Sequence, residues 1–173
     1  VMAATRATQG QVFSFEPMPE NFVLLQRNLR ANGCRNAQPF CLGVLDQAGP
    51  VEFTIDSRSS GGHTIKNLKT STEKITVQMT TLEAIIREHN IQKIDFLKVD
   101  CEGSEFPIFY QSNPHVFSIV RRLAMEYHIV CKQPEKGQRA QEFITHLESL
   151  GFRTVKHIDI PNAWEGLLFM ERV

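Results

Sequence analysis

Strand-period and helix-period segments take turns along this chain, and no other feature limits its possible folds as sharply. Val12 to Phe15 is a short apolar run, expected as a first strand. Pro19 then stands where a first helical turn tolerates it; Phe22, Leu25 and Leu29 recur on one face, and Gly33 closes the helix. Gln38 to Val44 reads as a second strand. Val51, Phe53 and Ile55 alternate with polar residues, as do Ile75, Val77 and Met79, which predicts two half-buried strands. Between them SRSSGGHTIKNLKTSTEK, residues 57–74, is a long polar, Gly-rich loop of the kind that is functional or disordered in compact domains.

Thr80 and Glu83 have the spacing of a capping box ahead of Leu82, Ile85 and Ile86, so a helix is expected as far as Asn90. IDFLKVD (94–100) has a nearly continuous apolar centre, which predicts a strand covered on both faces, and RRLAMEYHIV (121–130) has the same character. Ala140, Phe143, Ile144 and Leu147 mark an amphipathic helix that Gly151 stops. Phe152 to Ile158 and Leu167 to Glu171 follow as a closing pair of strands. Strands that alternate with helices imply βαβ units. The expected fold is therefore α/β: a Rossmann-like, doubly wound, mainly parallel sheet with a C-terminal antiparallel strand pair. Neither a repeat nor a linker divides residues 1–173, which predicts a single domain.

The totals exclude several function classes. Lys plus Arg and Asp plus Glu number 19 each, so no global field draws the chain to nucleic acid or an anionic membrane. No apolar stretch approaches the ~20 residues of a membrane helix, and no signal peptide opens the sequence. Cys34, Cys41, Cys101 and Cys131 are scattered without a C-x-x-C pair, which points to reduced thiols and a cytoplasmic compartment.

In doubly wound sheets, ligands bind beyond the carboxyl ends of the parallel strands. Acids cluster at those ends here. Glu16 closes the first strand in FSFEPMPENF (13–22), where it is either a turn acid favoured by the following helix dipole or a grip on a vicinal diol such as ribose. FLKVDCEGSEF (96–106) crowds Asp100, Glu102 and Glu105 into one strand-to-helix turn, with Gly103 allowing close backbone approach. Three acids so close need a compensating cation, proton or donor; Lys98 is a candidate, although its side chain is expected to point away along the strand. The plain alternative is an N-capped helix with acids in its first turn. In MEYH (125–128), Glu126 and His128 share one strand face, and His128 is either a structural histidine, a general base or a metal ligand together with Asp100. His63 on the long loop and Trp164 in the last turn are peripheral candidates only.

Taken together, FSFEPMPENFVLLQRNLRANG, IDFLKVDCEGSEF, LAMEYH and the Gly-rich SSGGHTI resemble the FkbM-type methyltransferases from about residue 11 to the C-terminus. The resemblance implies a class I methyltransferase-like fold and S-adenosylmethionine-dependent O-methylation of a hydroxyl on a sugar or small natural product. It implies that Glu16, with Pro17 after it, holds the adenosyl ribose, that Leu42, Gly43 and Val44 border the adenine, and that Asp100 lies by the methionine end. Glu102, Glu126 and His128 are then left to line the acceptor pocket, with His128 as proton acceptor and Asp100 or Glu126 as second choice. A divalent metal on these groups is possible in that setting but not expected. The partner is a small-molecule or glycan substrate; oligomeric state is left open.

One departure from the family pattern bears on function. Its opening strand and Gly-rich turn have no counterpart in VMAATRATQG, which reads as the end of a first helix. These 173 residues alone are therefore expected to bind the cofactor weakly or not at all. A degenerate, methyltransferase-like binding or scaffold domain is the alternative reading.

Overall fold

The structure is a computed structural model that describes residues 1–54, 74–129, 139–160 and 165–173. Within it the chain divides into two compact units, Val1–Thr80 and Thr81–Val173.

The first unit opens with α1 (Met2–Arg6), tied down by Asn36, whose Nδ2 donates to the carbonyls of Ala4, Ala7 and Gly10. β1 (Val12–Phe15) lies parallel to β2 (Ala37–Phe40), and the rings of Phe15 and Phe40 stack at 5.0 Å across the register pair. Between them runs α2 (Pro19–Ala31), which starts on Pro19, buries Leu29 and ends ahead of Gly33 at φ +65. That conformation favours glycine, so the stop has a backbone cause.

The strand expected over Gln38 to Val44 is in fact two. After β2 the chain leaves β1, and β3 (Gly43–Val44) pairs parallel with β5 (Lys74–Thr80), which β4 (Gly49–Thr54) flanks antiparallel. The new pairing requires glycine at position 43, where a Cβ would overlap the Met79 thioether and crowd Pro17. β4 and β5 are the expected strand pair, and Met18, Phe53, Val77 and Met79 form the small core they share. Ile55 and the long loop with His63 lie outside the described residues.

In the second unit, β6 (Leu97–Asp100), β7 (Arg122–His128), β9 (Glu165–Arg172) and β8 (Phe152–Asp159) form one sheet in that order. β6 and β7 are parallel; the β7–β9 and β8–β9 pairs are antiparallel, which includes the expected closing pair. α3 (Leu82–Glu88), α4 (Glu105–Gln111), a 3₁₀ helix over Pro114–Ile119 and α5 (Ala140–Ser149) connect the strands. The core is aromatic: Phe109 stacks on Phe117 at 4.6 Å, and Phe106 lies 4.5 Å from Phe143. Buried Tyr127 reaches across to His157 and Asp159 over Gly166, where any side chain would strike its hydroxyl.

Three local expectations fail here. The α3 cap is Thr81, not Thr80: its hydroxyl accepts the Ala84 N–H, while Glu83 accepts from the backbone of Asn113 instead of closing a capping box. β6 is buried on one face only, at Val99, because Lys98 and Asp100 share its other face and bridge to each other at 2.8 Å. Lys98 is thus turned toward Asp100 and not away from it. The result is a mixed α/β fold with parallel and antiparallel sheets, as the alternation of periods predicts.

Candidate functional site

Strand pairing in the second unit gathers the ionisable groups. Because β6 and β7 run parallel, Asp100 registers with Glu126, and because β9 returns antiparallel, His128 registers with Glu165. Glu102 and Gly103 follow β6 in a turn with φ +51 and +103, the left-handed conformation that a glutamate adopts only when held there. The side chain of His128 is 12% exposed, and its Nε2 lies 3.8 Å from Glu102 and 3.9 Å from both Glu126 and Glu165. Its Nδ1 lies 3.3 Å from Glu105, whose carboxylate has no exposed surface.

These surroundings shift the histidine. The hydrogen bond to Glu105 raises its pKa, burial opposes that, and the charges of Glu105, Glu102 and Asp100 add to the rise, which reaches about 9. His128 is thus an imidazolium at neutral pH. Since its pKa is raised on folding, the stability it adds is fully present below its ordinary value near 6.5 and is lost as the pH climbs through about 9. Glu102 is also pushed up, first by burial, with Asp100, Glu105 and Glu126 adding to the rise and His128 opposing it. Burial drives the Cys101 thiol up to about 12, so it is no nucleophile at physiological pH.

Asp100, Glu102 and His128, and likewise Glu126, His128 and Glu165, place one donor atom each within 4.8 Å of one another. That spacing suits a cation. Two cations, Lys98 on Asp100 and the imidazolium among the glutamates, already offset part of the charge of the five carboxylates.

The first unit holds the other expected group. Glu16 follows β1, half-buried, and its Oε1 accepts the Met18 N–H at 2.9 Å just ahead of α2. Among the described residues its second oxygen has no hydrogen-bond partner. Gly43 is buried against Met79 and Pro17, while Leu42 and Val44 are half-buried. Trp164 and Cys131 lie outside the described residues; Cys34, Cys41 and Cys101 are unbridged thiols.

Four of the expected residues, Asp100, Glu102, Glu126 and His128, therefore come together within one unit. Two members of the group were not singled out for a role by sequence reasoning. Glu165 becomes visible only through the β7–β9 register. Glu105 did leave a signal: with Ile108 and Phe109 it falls on the buried stripe of α4, an odd place for an acid.

Residues 1–154 match the family model described as the methyltransferase FkbM domain, and the chain belongs to the FkbM methyltransferase family. It is 24% identical over 148 residues to Methyltransferase sdnD of Sordaria araneosa, a match covering 68% of this chain and 57% of that protein. It is also 24% identical over 163 residues to Methyltransferase 1 of Beauveria bassiana (strain ARSEF 2860), covering 83% and 63%. The chain thus spans less than two thirds of the length of these curated relatives. Among solved structures it is similar to an rRNA methylase from Streptococcus thermophilus, at 10% identity and a TM-score of 0.45, over 94% of this chain and 74% of that one.

Proposed function

We propose that the protein is an S-adenosylmethionine-dependent methyltransferase that methylates a hydroxyl oxygen on a sugar or small natural product, its two units making one domain of that kind. Family membership supports methyl transfer. The observation that carries the choice of oxygen is His128, held among carboxylates at the paired ends of β6 and β7. A hydroxyl is a poor nucleophile until its proton has somewhere to go.

When bound, S-adenosylmethionine supplies a methyl group on a positively charged sulfur. On this reading Glu16 accepts the ribose hydroxyls with its open oxygen, Pro17 shapes the turn, and Leu42, Gly43 and Val44 border the adenine. Asp100 attends the methionine end, while Glu102 and Glu126 hold the acceptor against His128. Because His128 titrates at about 9, the fraction able to take a proton grows toward that pH. Transfer should quicken as the solution becomes alkaline. Glu126 is the second proton acceptor. The unbridged thiols support a reducing, cytoplasmic setting, and no helix among the described residues is long and apolar enough to cross a membrane.

The test is a transfer screen of the full-length protein with methyl-labelled S-adenosylmethionine against glycans and small hydroxylated metabolites. The expected product carries the label as a methyl ether. Cofactor binding without transfer to any acceptor would instead favour the degenerate binding domain.

A further inference from the structure

Glu105 is the most deeply buried ionisable side chain among the described residues, with 0% exposure. A carboxylate survives such burial only when donors surround it. Three do. Its Oε1 accepts the Cys101 N–H at 2.7 Å and faces His128 Nδ1 at 3.3 Å, while its Oε2 accepts the Gly103 N–H at 2.8 Å. The two backbone donors flank Glu102, the residue in the left-handed conformation. One side chain therefore touches both the turn after β6 and the last residue of β7.

We propose that Glu105 is a positioning residue: its buried carboxylate clasps the turn that carries Asp100 and Glu102, and with the same oxygen it fixes the His128 ring so that Nε2 faces Glu102, Glu126 and Glu165. A carboxylate at Nδ1 accepts that N–H and leaves Nε2 as the atom that gives or takes a proton toward the acceptor. Among the described residues, the groups facing His128 are Glu105 from α4, Asp100 from the end of β6, Glu102 from the turn, Glu126 from β7 itself and Glu165 from β9; Lys98 offsets Asp100. Among the described residues only Glu105 bonds to Nδ1, so it governs both the ring's direction and its charge.

The consequence for activity rests on the methyltransferase reading, but the structural claim does not. Histidine NMR titration of the full-length protein tests it directly. In Glu105→Gln, His128 should lose about tenfold or more in proton affinity. Should Glu105→Gln not fold, Glu105→Asp carries the test: a shorter carboxylate keeps the charge but loses reach, and His128 should then titrate between the two. If His128 titrates as in the parent in a folded variant, Glu105 is only a turn clasp and the proposal is overturned. Where transfer is measurable, the alkaline limb of the rate profile should move to lower pH in Glu105→Gln. A parent without any transfer speaks against the function proposed above and leaves the titration result standing.

Discussion

Two strand-to-helix turns in this chain follow the same recipe of apolar run, acid and helix start, and they end in different chemistry. In the first unit, Glu16 follows β1 with one oxygen on the Met18 N–H, and it belongs to none of the groups of three or more ligand-type side chains among the described residues. In the second, Asp100 and Glu102 after β6 join Glu126, Glu165 and His128, and a buried Glu105 binds the group from behind. The difference lies in the neighbours. β1 pairs with β2, which ends on Phe40 opposite Phe15, whereas β6 pairs with β7 and β7 with β9, and each register step there adds a charge. A strand-end acid becomes a reactive group when the adjacent strands end in titratable residues too.

If that contrast is right, substitutions in the two turns should separate. The largest effect on stability belongs to Glu105→Ala, which leaves two backbone donors and His128 without their acceptor. It should cost about 3 kcal/mol or more by chemical denaturation. The gap to the parent should be widest below about pH 6.5 and shrink as the pH passes about 9, where His128 loses its proton. Glu16→Gln is the smaller change. Its amide oxygen still accepts the Met18 N–H, so stability should shift by less than about 0.5 kcal/mol. If Glu16 holds the ribose as proposed, calorimetry of the full-length protein with S-adenosylhomocysteine should meanwhile show affinity falling about tenfold as a charge-assisted bond is lost. A Glu16→Gln protein that unfolds readily yet binds as before would reverse the assignment and make Glu16 a turn acid.

Much of this was legible in the residues. Apart from the division of Gln38–Val44 into β2 and β3, the order of the strands follows from hydrophobic period and from Pro19, Gly33 and Gly151 as stops. What was not legible depended on partners distant in sequence. Nothing local to Gln38–Val44 says that the chain changes sheets after Phe40; that shows only in the pairing of Gly43 with Met79, far along the sequence. Thr80 and Thr81 are equivalent as caps until Glu83 is found to serve Asn113. The site divides the same way. Asp100, Glu102, Glu126 and His128 were visible because strand ends concentrate ligand contacts. Glu165 required the β7–β9 register, and Glu105 looked like one more acid in a helical first turn until its burial was known.

The claim beneath all of this is that His128 works on the acceptor and not on the cofactor. Single-turnover methyl transfer by His128→Asn in the full-length protein, measured beside its affinity for S-adenosylhomocysteine, tests that most directly. The rate should fall by about 100-fold or more while the affinity stays within about twofold of the parent. Transfer at the parent rate, or a loss confined to cofactor binding, would contradict the account.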